Sequence, residues 1–323
     1  MNAGSFDVLL TGRMQGAERD EWLRALRDAA PQCRWWCDDD GEIARDAIEV
    51  AVVADPAPGA LAALPRLRLV QSLWAGVDKL LADATLPTQV PLARMVDPAM
   101  HAAMAETALW AVLSLHRGFF DYAAQQREGL WRQLAQRRAD ELPVLVLGLG
   151  EMGRAVATRL QAQGYRVTAW RASATDAAHR PAPAGVAVQA GPDALAALLN
   201  AAEIVVNLLP LTPATRGLLD AKCFAALPAG ASLVNLARGA QVVDDDLRAA
   251  LDSGHLRHAV LDVFNSEPLP GGHPYWQHPR VTVLPHVAAL TDARSAAQVV
   301  AGNLQALRDG APLAHLVDRA RGY

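Results

Sequence analysis

The stretch Pro143-Val-Leu-Val-Leu-Gly148-Leu-Gly150-Glu151-Met152-Gly153-Arg154 constrains the fold more than any other part of the chain. Val144 to Leu147 is apolar, short and half β-branched, which suits a strand buried on both faces rather than a free-standing helix. Three glycines then follow with the spacing G-x-G-x-x-G, and an alanine-rich helical pattern comes after them. In such a loop the first glycine makes a tight turn. The second lets the backbone approach a pyrophosphate, and the third lets the helix pack against the strand. The helix N-terminus is thereby aimed at an anion. Glycine supplies 23 of the 323 residues, so the spacing alone occurs by chance; the strand before it and the helix after it give it weight. The stretch predicts a dinucleotide site, with Gly148, Gly150, Glu151, Met152 and Gly153 as its contacts.

The motif begins well inside the chain, so a whole region precedes it, and 323 residues are enough for two domains with separate cores. Phe6 to Thr11, Val50 to Ala54 and Leu67 to Ser72 read as strands. Ala17 to Ala30, with Trp22, Leu23 and Leu26 at helical spacing, reads as a helix. The longest uninterrupted helical pattern runs from Pro98 to Phe120. After the glycines, strands are expected at Arg166 to Trp170, Glu203 to Leu209, Leu233 to Leu236, His258 to Asp262 and Val281 to Leu284. With Val144 to Leu147 they make six, the count of a full dinucleotide-binding domain. Strands alternating with helices imply parallel pairing. The expected fold is therefore α/β, with two doubly wound, Rossmann-like parallel sheets. One domain comprises residues 1–97 plus 291–323, because the helical stretch Asp292 to Arg308 is surplus to the second sheet; the other comprises residues 98–290.

Composition narrows the class of partner. Lys and Arg number 30 against 34 Asp and Glu, so there is no basic excess for a nucleic-acid surface. No apolar stretch reaches the roughly 18 residues of a membrane span, and the N-terminus lacks a charged start followed by an apolar core. A cytoplasmic protein is expected. Three cysteines do not make a disulfide framework, and Cys33 and Cys37 lack a second ligand pair for a metal, so idle thiols and no metal site are expected.

In this fold an acid about 20 residues beyond the first glycine accepts hydrogen bonds from the adenosine ribose and repels a 2′-phosphate. Here the strand ends Trp170-Arg171-Ala172-Ser173, without an acid. A guanidinium and a hydroxyl suit a phosphate, so NADP(H) is favoured, with NAD(H) as the alternative. A solvated loop charge is the plainer reading of Arg171, and Arg180 is a second candidate for the phosphate.

Ligands in open α/β sheets sit beyond the carboxyl ends of the strands. Three residues of useful chemistry stand there: Arg238 in Leu233-Val-Asn-Leu-Ala-Arg238-Gly239, Glu267 in Leu261-Asp-Val-Phe-Asn-Ser-Glu267-Pro268, and His286 in Leu284-Pro-His286. A carboxylate beside an imidazole orients the ring and favours its protonated form, which makes a general acid. A guanidinium can hold a substrate carboxylate at two points. Gly239 allows an unusual backbone beside Arg238. The set fits reduction of a 2-oxo acid. The other histidines read as surface or core residues.

These segments together resemble the successive signatures of the D-2-hydroxyacid dehydrogenase family, in matching order across nearly the whole chain. Ser72-Leu-Trp-Ala-Gly-Val-Asp78, Asn207-Leu-Leu-Pro210, Leu269-Pro270 and the ending Val317-Asp-Arg-Ala-Arg-Gly-Tyr323 resemble its glyoxylate/hydroxypyruvate reductase branch, which prefers NADPH. The resemblance implies that Arg238 binds the substrate carboxylate and carbonyl, that His286 donates the proton and that Glu267 is its partner. It implies further that backbone amides of Ala75, Gly76 and Val77 receive the carboxylate, with Trp74 beside them in the substrate-binding loop. It also implies that Leu209, Pro210 and Ala237 line the cofactor, that Asp262 faces the nicotinamide amide, and that the protein is a homodimer formed through the cofactor domain, the helix from Pro98 contributing. Many relatives have glycine where Trp74 stands; the indole either narrows the substrate pocket or packs outward under its loop. Two rival functions remain open: an NAD-linked dehydrogenase for another 2-hydroxy acid, and a nucleotide-sensing corepressor on the same fold.

Overall fold

The computed structural model describes residues 5–41, 43–172 and 181–323. It divides into two compact units, Met1–Met100 with Thr291–Tyr323, and His101–Leu290. Among the described residues no helix is long and apolar enough to cross a membrane.

The first unit is built on a parallel sheet of order β2-β1-β3-β4-β5, from β1 (Asp7–Gly12), β2 (Arg34–Cys37), β3 (Val50–Ala54), β4 (Leu69–Ser72) and β5 (Leu92–Ala93). The central β3 is Val-Ala-Val-Val-Ala and wholly buried, as a strand covered on both faces must be. Two strands go beyond the sequence reading: β2 is Arg-Trp-Trp-Cys at the edge, and β5 has only two residues, too few to leave a pattern. Cys33 and Cys37 are buried free thiols. Helix α1 (Gly16–Ala29) packs against α9 (Ala293–Asp309), so the C-terminal helix belongs to this unit. Asn303 of α9 donates its amide hydrogens to Gln71 Oε1 (2.7 Å) and the Ala314 carbonyl (3.1 Å), and Gln71 donates to the Ser72 carbonyl (3.0 Å). This buried amide pair ties the helix to the end of β4, where the Trp74–Val77 loop leaves the sheet.

The second unit has seven parallel strands in the order β12-β11-β10-β9-β6-β7-β8. They are β6 (Pro143–Leu147), β7 (Arg166–Arg171), β8 (Ala187–Ala190), β9 (Ile204–Asn207), β10 (Ala231–Asn235), β11 (Leu256–Leu261) and β12 (Val281–Val283). The seventh strand is β8, an edge strand that is nowhere buried and therefore carries no apolar run. Side chains alternate across β6. Val144 and Val146 pack with Ala108, Val112 and Leu115 of α3 (Pro98–Arg117), whereas Leu145 and Leu147 pack with Phe224 and Leu251 on the other face. Gly118, at φ 71°, then turns the chain into α4 (Phe119–Arg127).

Strand register decides where the loops emerge. Leu147 lies opposite Asn207, Asn207 opposite Asn235, Asn235 opposite Leu261, and Leu261 opposite Val283. One row of residues thus closes five strands at the same edge. The chain reverses its direction of winding between β6 and β9, the switch point at which such sheets open a crevice for ligands.

Candidate active site

The glycine loop leaves β6 at this edge. Gly148 has φ 91°, and a Cβ on it would lie 2.8 Å from the Leu208 carbonyl oxygen. A Cβ on Gly153 would lie 1.9 Å from the Gly148 carbonyl oxygen, so α5 (Glu151–Ala162) reaches its position against the strand only because residue 153 has no side chain. Gly150 caps α5, Glu151 occupies its first turn, and Met152 packs against the core. The cradle leaves backbone exposed at the N-terminus of a 12-residue helix, which fits a dinucleotide pyrophosphate. Beside it, β7 ends on Arg171 without an acid. The Arg171 side chain is buried at 6% exposure, which corrects its reading as a solvated loop charge. Ser173 and Arg180 lie outside the described residues. Leu209 and Ala237 are buried where β9 and β10 end, and Pro210 is half-buried.

Arg238 follows β10 and is half-buried. Its backbone is fixed at both ends: the N–H donates to Gln241 Oε1 (3.2 Å), and the carbonyl accepts from Asn235 Nδ2 (3.1 Å). Gly239 has a different reason for being glycine than the expected unusual backbone. It lacks a positive φ; the Phe264 carbonyl carbon sits 1.9 Å from where its Cβ would stand. The loops after β10 and β11 are pressed together at this point.

Glu267 and His286 meet directly, Nδ1 to Oε2 at 2.9 Å. The other carboxylate oxygen accepts the Phe264 N–H at 2.9 Å. An ionised carboxylate only accepts, so Nδ1 must donate, and Nε2 is left as the ring nitrogen that can exchange a proton with a ligand. Burial pushes the Glu267 carboxyl up. Hydrogen bonds from His286 and Phe264, with the charges of His286 and Arg238, together outweigh burial and hold it below the ordinary glutamate value. The Arg238 charge therefore acts on the same carboxylate that orients the histidine.

His286 has φ 55°, a left-handed backbone rarely adopted by a side-chain-bearing residue. What holds it there is Asp262. The Asp262 carbonyl accepts the His286 N–H (2.9 Å), and its carboxylate oxygens accept the N–H groups of Val287 (2.7 Å) and Ala288 (3.0 Å). Burial raises the Asp262 carboxyl above its usual range against those two bonds. Asp262 is thus a clamp on the histidine loop, a part that its place at a strand end did not disclose.

In the other unit, Trp74 meets Trp22 of α1 edge to face, with ring centroids 6.3 Å apart. Of the two readings of Trp74, this contact is packing beneath its loop. Ser72 Oγ accepts the Trp74 N–H (3.0 Å), and the Trp74 carbonyl accepts the Met95 N–H (3.0 Å). Ala75 and Gly76 follow, both half-buried, and buried Val77 precedes α2 (Asp78–Leu81). Among the described residues no group of three His, Cys, Asp or Glu side chains is arranged to hold a metal ion.

The chain is 41% identical over 311 residues to glyoxylate/hydroxypyruvate reductase A of Serratia proteamaculans, covering 94% of this chain and 96% of the relative. It matches the structure of a D-isomer specific 2-hydroxyacid dehydrogenase from Xanthobacter autotrophicus, solved with NADPH and MES. The TM-score there is 0.93 and the identity 38%, over 99% of this chain and 100% of that one. It also matches the NADPH-dependent glyoxylate/hydroxypyruvate reductase of Sinorhizobium meliloti, solved with NADP and sulfate: TM-score 0.90, identity 34%, covering 99% and 100%. Residues 109–288 match the D-isomer specific 2-hydroxyacid dehydrogenase, NAD binding domain, and the chain belongs to that family of dehydrogenases.

Proposed function

We propose that the protein reduces a small 2-oxo acid, glyoxylate or hydroxypyruvate foremost, to the D-2-hydroxy acid at the expense of NADPH. The observation that carries this reading is the Glu267–His286 pair at the sheet edge that also presents Arg238 and the glycine cradle. Likeness to reductases solved with NADPH or NADP supports the choice of cofactor, as does the buried Arg171 at the end of an acid-free β7. NADH is the weaker alternative. The second unit is the cofactor domain in this reading, and the first is the substrate domain.

With its pyrophosphate on the cradle, the cofactor would supply the hydride from its nicotinamide. His286 passes the Nε2 proton to the carbonyl oxygen of the substrate. Glu267 keeps the ring oriented through Nδ1 and stabilises its charged form. Arg238 holds the carboxylate and polarises the carbonyl, a role for which a planar two-donor group is well shaped. Among the described residues, the backbone N–H groups of Ala75, Gly76 and Val77 make no hydrogen bond, which leaves them available to a substrate carboxylate. Asp262 serves the reaction by holding the His286 loop, with the nicotinamide amide its proposed second contact.

Absorbance of the nicotinamide band tests the reading, with NADPH or NADH against glyoxylate, hydroxypyruvate, pyruvate and phenylpyruvate. Turnover of the first two with NADPH preferred is expected. Nucleotide binding without turnover of any of the four would sink the enzyme in favour of a sensor.

We also propose a cytoplasmic homodimer formed through the second unit. That unit carries an apolar groove of about 470 Å³ lined by Leu109, Trp110, Leu113, Phe119 and Phe120. It also carries Trp131, 97% exposed on the irregular segment after α4. Apolar surface of this kind marks association sites. Sedimentation equilibrium should give twice the mass of one chain, and a monomer at micromolar concentration would remove the dimer.

A further inference from the structure

Three side-chain amides lie wholly buried beneath the site: Asn207 at the end of β9, Asn235 at the end of β10, and Gln241 in the turn Gly239–Gln241. Buried amides are costly unless their donors and acceptors are met. Gln241 meets all four of its own. Its Oε1 accepts from Asn207 Nδ2 (2.7 Å) and the Arg238 N–H (3.2 Å). Its Nε2 donates to the carbonyls of Leu209 (3.0 Å) and Pro210 (3.0 Å). The orientation is forced, because a flipped amide would set N–H against N–H on one side and oxygen against two carbonyls on the other.

The rest of the network extends the same connection. Asn207 also donates to Asn235 Oδ1 (2.9 Å) and accepts the Leu209 N–H (3.3 Å). Asn235 accepts the Ala237 N–H (3.3 Å) and donates to the Arg238 carbonyl (3.1 Å). Every bond from Gln241 thus reaches a loop that leaves the sheet beside the site, or the asparagine that braces it.

We propose that Gln241 is a positioning residue: its side chain locks the Arg238 loop to the Leu209–Pro210 loop, so that the substrate cation and the cofactor-side wall keep one fixed relation. The inference rests on the roles given above to Arg238, Leu209 and Pro210. It predicts that a defect at Gln241 appears on both substrates at once, although the side chain touches neither.

Gln241→Met keeps the length of the side chain and removes all four bonds, stranding the Arg238 N–H, one Asn207 amide hydrogen and the Leu209 carbonyl, while the Pro210 carbonyl keeps the Thr215 hydroxyl (2.7 Å). Steady-state kinetics with glyoxylate and NADPH should show kcat/KM lower by roughly ten- to a hundred-fold, the order expected when buried groups lose their partners. KM should rise for both substrates, whereas a purely structural role would reduce only the active fraction and with it kcat. Gln241→Glu is the second variant. As a carboxylate it keeps the acceptor bonds but faces two carbonyls without a proton, and protonation returns one donor. Its activity relative to the native enzyme should therefore rise as pH falls from 8 towards 5.5.

Native KM values in a folded Gln241→Met protein, or a flat relative pH profile for Gln241→Glu, would overturn the proposal. If the native protein turns over no 2-oxo acid, the reading of its function fails by itself. NADPH affinity, titrated by fluorescence, then decides the present point: Gln241→Met must bind more weakly than the native chain, and equal affinity overturns it.

Discussion

Replacing His286 by alanine should lower turnover of glyoxylate by about 10²- to 10⁴-fold, the usual worth of a positioned general acid, and leave NADPH binding intact. The asymmetry follows from where the ring is held. Nδ1 is committed to Glu267 at 2.9 Å, so proton transfer falls to Nε2. The glycine cradle comes off a different strand, β6, and is built from its own backbone. Glutamine at the same position retains a polar side chain but has no proton to give near neutrality, so it should be as inactive as alanine. Glu267 sets the acid limit of the partnership. A depressed carboxyl keeps its charge until the pH falls through the depressed value. The midpoint of any loss of activity through protonation of Glu267 should therefore lie below the ordinary glutamate value of 4.5. Full activity in His286→Ala, measured by initial rates at saturating NADPH, would take the proton-donor role away from this residue.

Much of that site can be read from residue order, for a physical reason. A buried parallel strand is a run of apolar residues, and the first polar residue after it stands at the sheet edge where ligands bind. Arg238, Glu267 and His286 follow such runs, and Gly148 ends one. Structure was needed wherever a residue's role depends on register between distant strands. Asn207 and Asn235 each close an apolar run and so carry a signal, but only the pairing of Asn207 with Asn235 makes them neighbours. Gln241 has no pattern around it that separates it from a surface glutamine. Asp262 stood at the right edge, yet its grip on Val287 and Ala288 depends on how β11 lies beside β12. The strands missing from the sequence reading, β2, β5 and β8, are short or lie at sheet edges, where burial imposes no apolar run.

Gly239 leads to the second large expected effect. Alanine there should cost on the order of 1–3 kcal/mol of stability or more, as overpacking of a filled interior does. The added methyl would have to stand 1.9 Å from the Phe264 carbonyl carbon and 2.4 Å from the Asn265 nitrogen, and those are backbone atoms that cannot rotate aside. One loop must therefore move from the other. Arg238 immediately precedes the point of contact, and Phe264 donates its N–H to Glu267, so separation of the loops displaces Arg238 from the His286–Glu267 pair. A misplacement of about 1 Å is enough to cost on the order of 100-fold in rate. Gly271→Ala is the control: it lies in the same stretch after β11, and a Cβ there meets nothing within 4 Å. Thermal melts and glyoxylate kinetics on the pair should show Gly239→Ala less stable and nearly inactive, with Gly271→Ala like the native chain. If Gly239→Ala melts and turns over as the native protein does, the contact with Phe264 is not what holds the two loops in register, and the steric basis of the site's geometry has to be sought elsewhere.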